Sequence, residues 1–141
     1  MNDYVIVSGD QAIFLPSFGG AVVTVAPGII VASSDLKAQS VPVCLEGDES
    51  TVIVPGCAYM RPPYVIPGIG IITIDDLNTN QLTINSTYNG RRIILKGITF
   101  DAKFTVVSPA WKPGETWIPD SSVSYNGTGS FLTTNTKVKI S

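Results

Sequence analysis

Apolar positions along this chain fall in short runs, and Gly, Pro, Asn or Asp ends each one. Residues 4–7 (YVIV) read as a strand closed by Ser8-Gly9-Asp10, and residues 12–15 as another ended by Pro16. Phe18-Gly19-Gly20 is a corner, residues 21–25 a strong strand, and Pro27-Gly28 turns into Ile29-Ile30-Val31. Residues 33–39 are the first polar stretch, predicting a loop or a single helical turn capped by Ser33 or Ser34.

The densest alternation lies in residues 41–74, which hold both cysteines and five of the ten prolines. Thr51-Val52-Ile53-Val54 is β-branched throughout, and such side chains pack well on a pleated surface. Pro55-Gly56 and Pro67-Gly68 have type II turn chemistry, so the stretch predicts short strands joined by tight corners, with Pro62-Pro63 stiffened into polyproline geometry. Further on, residues 75–80 predict a turn, and residues 81–84 a half-exposed strand. Asn89-Gly90 is a type I′ hairpin signal, with residues 91–96 as its return strand, closed by Gly97. Residues 99–106 alternate strictly, placing Phe100, Ala102, Phe104 and Val106 on one face. Residues 108–128 are rich in Pro, Gly, Ser and Trp and predict a loop or arm, and residues 129–132 and 137–140 two final strands. No helix of ordinary length fits between these breakers, so 1–141 is expected to be a single all-β domain.

Composition narrows the function. Charged residues are only 14% and apolar residues 44%, which suits a compact β domain or one with a face covered by a partner. A net charge of −2 gives no electrostatic case for nucleic acid or an anionic membrane, and no apolar run is long enough for a membrane helix. Histidine is absent, which removes the commonest general base and metal ligand, and no cofactor is expected. The carboxylates Asp48-Glu49, Asp75-Asp76, Asp101 and Asp120 leave a carboxylate-dependent glycoside hydrolase as the enzymatic alternative, against the reading that the chain is not an enzyme. Cys44 and Cys57 are a disulfide or two buried thiols. Trp111 and Trp117 either pack the 108–128 arm down or form a docking hook. Asn85 and Asn126 head glycosylation sequons that read as plain turns, because MNDYVIVSGDQ lacks the features of a cleaved leader.

One pattern occurs twice. Val5-Ile6-Val7-Ser8-Gly9-Asp10 and Val43-Cys44-Leu45-Glu46-Gly47-Asp48 are each Val, two apolar residues, a polar residue and Gly-Asp, and each precedes an apolar run that ends at a proline. Gly permits the bend and Asp can bond amides across it, so the echo implies two related β units stacked against each other. The second copy, Pro42 through Asp48, resembles the signature of PAAR-repeat proteins: Pro-Ala-Ala-Arg, one residue, then Gly-Asp. Pro42, Gly47 and Asp48 match, Val43 and Cys44 stand for the two small residues, and Leu45 replaces the arginine. The rhythm of short strands over residues 5–74 and the late Asn135-Thr136-Lys137-Val138 segment are similar too.

That resemblance implies a compact, cone-like β fold capping the trimeric β-helical spike of a type VI secretion system or related contractile injection machine. Members of the family also carry effectors. The family's tip metal is held mainly by histidines, so no metal ligand carries over to this chain. The implied life history is assembly in the cytoplasm and release without a signal peptide, to the outside or into a target cell. Residues 41–74 are then expected to be a rigid wedge, and residues 129–141, with Val138, part of the docking base. The alternative is a β-sandwich binding module of a phage tail or surface assembly.

Overall fold

The computed structural model describes residues 3–141. The described residues form sixteen strands: β1 (Asp3–Tyr4), β2 (Gln11–Phe14), β3 (Ser17–Phe18), β4 (Ala21–Val23), β5 (Gly28–Ile29), β6 (Lys37–Ala38), β7 (Val41–Pro42), β8 (Ile53–Arg61), β9 (Tyr64–Asp76), β10 (Leu82–Tyr88), β11 (Arg91–Ile94), β12 (Phe100–Ser108), β13 (Trp111–Lys112), β14 (Ile118–Pro119), β15 (Ser124–Leu132) and β16 (Lys139–Ile140). The only helical pieces among the described residues are single 3-10 turns at Asp48–Thr51 and Thr79–Gln81. The all-β expectation is borne out.

One antiparallel sheet, ordered β3-β4-β8-β9-β12-β15-β2-β5, curls into a half-barrel. The segment from β2 to β3 touches both of its ends. Leu15 N–H donates to the Thr128 carbonyl on one side, and Val23 N–H to the Pro16 carbonyl on the other. The sheet is therefore one curled layer, not the two stacked layers of the sandwich alternative. Its inner face carries the strict alternation of β12, where Phe100, Ala102 and Phe104 are fully buried. Phe100 packs edge-on to Phe14 at 5.7 Å between ring centroids and lies 4.9 Å from Phe131. Phe104 lies 5.0 Å from Tyr59, and Tyr59 lies 5.9 Å from Tyr125. These contacts make the barrel interior an aromatic core.

The Pro-Gly corners expected within residues 41–74 are not corners. β8 runs straight through Pro55-Gly56, and β9 through Pro67-Gly68. The β8–β9 register shifts between Val54 and Cys57, so Pro55 and Gly56 form a bulge, and a bulge is where an antiparallel ladder tolerates a residue without a donor. The real turn of this hairpin is at the cis Pro62-Pro63, flanked by the Arg61–Tyr64 pair, rather than a polyproline spacer. The arm is also shorter than expected. Residues 124–128 belong to β15, which pairs with β12 from Phe100–Gly129 to Thr105–Ser124. Gly127 and Gly129, which look like loop residues, sit where a Cβ would meet the Phe18 and Phe100 rings. Residues 33–36 take the loop alternative, with no helical turn.

Below the barrel, a second core of Val5, Val7, Ala38, Val43, Leu45, Ile93 and Leu95 is built by β1, β6, β7, β10, β11 and β16. The three long excursions of the chain between its members, β2–β5, β8–β9 and β12–β15, all go to the barrel.

Candidate docking face

Three segments, residues 4–8, 42–46 and 92–96, meet around one centre. Each pairs with the other two, through the bridges Val5–Leu95, Val7–Val43 and Leu45–Ile93. Ile6 N–H donates to the Ile94 carbonyl (3.0 Å), Ile94 N–H to Cys44 (3.0 Å) and Cys44 N–H to Ile6 (2.9 Å), closing a ring. An outer set repeats the rule: Ser8 N–H to Pro42, Glu46 N–H to Arg92, and Lys96 N–H to Tyr4. Chain positions therefore superpose in threes, Ile6 with Cys44 and Ile94, and Val5 with Val43 and Ile93. This is a pseudo-threefold arrangement within one polypeptide.

Each segment is fed by a hairpin-like corner. β6–β7 turns at Gln39-Ser40 and β10–β11 at Asn89-Gly90, both two-residue loops with positive φ at both positions, the I′ pattern. At the third corner β16 pairs with β1 across opposite ends of the sequence, without a turn between them. Lys37 opposite Pro42, Thr87 opposite Arg92 and Lys139 opposite Tyr4 are equivalent exposed positions, one at each corner.

The alternation of three residues sorts the two faces of the ring. Ile6, Cys44 and Ile94 are fully buried and join the barrel core. The residues on either side of each point into the lower core. On the side away from the barrel, Val5, Val43 and Ile93 floor an open apolar cleft of about 160 Å³. A second open cleft, about 410 Å³, lies beside the 3-10 turn between Leu82, Ile84 and Leu95, with Asp3 at its edge.

The two Gly-Asp turns serve the ring alike. Gly9 (φ 91°) and Gly47 (φ 105°) take left-handed backbone, and the following aspartate reaches back. Asp10 Oδ2 accepts from Val7 N–H at 2.9 Å, and Asp48 Oδ2 from Leu45 N–H at 2.8 Å and Ser33 N–H at 3.0 Å. Burial pushes the Asp48 carboxyl up, but these bonds and the Arg91 guanidinium at 3.3 Å outweigh it and hold the carboxyl below its usual range. Asp10 also caps Thr134, tying the C-terminal segment in, where the buried Asn135 amide donates to the Val5 and Val138 carbonyls.

The third repeat lacks the aspartate. Ile98 follows Gly97, and Leu95 N–H is satisfied by the Gln81 carbonyl, while Gly97 N–H donates to Asp3. The sequence echo of two is therefore a structural echo of three. The signal for the third was the three apolar residues, one polar residue and Gly of residues 93–97; the missing aspartate hid it. The units also lie edge to edge around an axis rather than one upon the other.

Of the residues singled out by sequence, Pro42, Gly47, Asp48, Cys44 and Val138 all fall on this ring or its corners. Cys44 and Cys57 are both buried free thiols, and burial raises both above the ordinary thiol range, Asp48 and Asp10 adding to Cys44's rise. Cys57 belongs to β8, on the barrel. The tryptophans stand apart from the ring. Trp111 is half-buried, pairing with Ile66 and Pro119, and Trp117 is exposed. Their arm is fastened by Asp120, which accepts from the Tyr59 hydroxyl (3.0 Å) and from the Tyr125 hydroxyl, while Ala110 N–H donates to Tyr59. Asp48 and Asp120 are thus committed to structural bonds, Asp75, Asp76 and Asp101 are exposed, and neither cleft is lined by them.

A family model described as contractile injection system spike tip protein matches residues 1–141. The chain belongs to that family. The expected class, a spike-tip component of a contractile injection machine, is borne out. No curated protein sequence matches the chain. Membership implies association with a spike protein, and the spike tip has no helix long and apolar enough to cross a membrane among its described residues.

Proposed function

We propose that this spike tip caps a trimeric spike, one copy per trimer, with the three-cornered face as its base and the barrel pointing away. The observation that carries the reading is the ring of Ile6, Cys44 and Ile94. A trimer ends in three identical surfaces, and one chain with three near-equivalent corners meets all of them at once. The barrel has no such arrangement; its sheet runs in one order from edge to edge. An apolar floor supports the same assignment, because an exposed apolar depression on a chain this poor in charge calls for a cover. The role is structural rather than catalytic, since Asp48 and Asp120 are both held in place by backbone and tyrosine donors. Cargo carriage and the type VI class of machine belong to the same reading, and rest on the sequence resemblance alone.

The test is stoichiometry. The tip is mixed with the spike protein from the same source, and the complex is weighed by native mass spectrometry. One tip per three spike chains is expected, and Val138→Asp is expected to weaken the complex while leaving the fold intact. Three tips per trimer, or no complex, refutes the assignment.

A further inference from the structure

The three corners are alike in backbone and unlike in chemistry. Val43 N–H donates to the Leu36 carbonyl and Val5 N–H to the Val138 carbonyl, so Leu36 and Val138 hold equivalent positions. At the third corner, Ile93 N–H donates instead to the Thr83 hydroxyl, which in turn donates to the Ser86 carbonyl. A polar side chain is wedged into that corner. The next equivalent position carries Ala38 and Ile140 at two corners and Tyr88 at the third, where its hydroxyl donates to Asp35.

The apolar cleft follows this difference. Leu36 and Ala38 form one wall, Val138 and Ile140 the other, and neither Ser86 nor Tyr88 lines it. It opens between two corners and is shut at the third. At about 160 Å³ it is well below the roughly 300 Å³ where small-molecule pockets begin, and suits a side chain. Its rim is basic. Lys37 lines it, and Lys137 and Lys139 alternate with Val138 and Ile140 along the opposite wall. Among the described residues the ion pairs are Arg91–Asp48 and Arg92–Glu46, so these three lysines have no acidic partner; Lys139 rests over the Tyr4 ring at 4.5 Å.

We propose that the tip engages its spike asymmetrically: one spike chain alone inserts an apolar side chain into this cleft, with acidic side chains of that chain meeting Lys37 and Lys139. The proposal rests on the docking reading above and specifies its partner chemistry. The other two spike chains meet surfaces of different kind, one of them the closed β10–β11 corner. A threefold spike loses nothing by this, because all three of its chains offer the same knob and any one can serve. The complex as a whole is no longer threefold.

Equivalent exposed positions provide the experiment. Lys37→Glu, Lys139→Glu and Thr87→Glu change the same register position at the three corners, and none is in a core. Affinity for the purified spike trimer is measured by calorimetry at low and high salt. Lys37→Glu and Lys139→Glu are expected to weaken binding by about tenfold or more at low salt, with the difference shrinking as salt rises, while Thr87→Glu stays within about twofold of wild type. Leu36→Glu, which puts a charge in the cleft wall, is expected to weaken binding regardless of salt. Equal losses at all three corners overturn the asymmetric engagement and leave the docking reading standing. Wild-type binding unaffected by Lys37→Glu, Lys139→Glu and Leu36→Glu shows that the spike sits elsewhere, and absence of wild-type binding overturns both.

Discussion

Replacing Asp48 with alanine is expected to cost about 3 kcal/mol of folding stability. Its Oδ2 satisfies the buried Leu45 N–H and the half-buried segment's Ser33 N–H, and its Oδ1 faces Arg91. A buried amide left without an acceptor costs about 1–3 kcal/mol, and a bond to a charged acceptor is worth about 1.5–3 kcal/mol. Ser33 lies where water can substitute, so Leu45 dominates; the exposed side of Arg91 makes the ion pair a minor part. Asp48→Asn keeps an acceptor for both amides and is expected to lose about 1 kcal/mol. Glu49→Ala removes only an exposed bond to Gly47 N–H and is the control. Urea denaturation followed by near-ultraviolet circular dichroism reads all three. The sign of the pH dependence follows from the lowered carboxyl: its contribution is present above the unfolded value and lost as pH falls through the folded one. The gap between wild type and Asp48→Asn should therefore close at acid pH. If Asp48→Ala is as stable as Glu49→Ala, the aspartate does not hold the ring, and the reasoning behind the Gly-Asp turn is wrong.

Three further outcomes are expected. Gly70→Ala would put a Cβ 2.3 Å from Phe104 Cζ and 2.5 Å from the Thr105 carbonyl oxygen, and is expected to cost about 1–3 kcal/mol, read as a lower urea midpoint. Both thiols should be silent to Ellman's reagent in the native protein at pH 8 and react fully in denaturant; a fast native reaction would contradict their burial. The Tyr59 hydroxyl is pushed up to about 12, by burial first and then by Asp120 against the Ala110 bond, so its contribution is intact below about pH 10 and lost as pH rises through 12; an ultraviolet titration with Tyr59→Phe as reference checks it.

What could be read from the sequence was what local chemistry decides. The strict alternation at residues 100–106 placed Phe100, Ala102 and Phe104 inside, and Asn89-Gly90 gave its turn. The echo of Gly-Asp turns led to the ring, because an aspartate reaching back three residues is a local bond. What escaped depends on distant partners. Pro55 and Pro67 punctuate a sequence but not these strands, since the bulge that absorbs Pro55 is defined by β9. Gly127 and Gly129 look like loop residues until Phe18 and Phe100 are set against them. The alternation of residues 81–84 does not sort buried from exposed positions: Thr83 is buried because it is needed between Ile93 N–H and the Ser86 carbonyl, while Ile84 is 85% exposed. The third repeat escaped because its backbone duty had passed from a nearby aspartate to the Gln81 carbonyl, a residue of another element.

A homotrimer that changes one residue changes it three times over. Here the corners are spelled separately along a single chain, so each is free to drift while the ring of backbone bonds holds the frame. The polar wedge of Thr83, Ser86 and Tyr88 at one corner, beside the apolar walls of the other two, is the record of that freedom. A gene of this kind can refit one contact to a new partner without disturbing the remaining pair, a latitude denied to the symmetrical surface it faces.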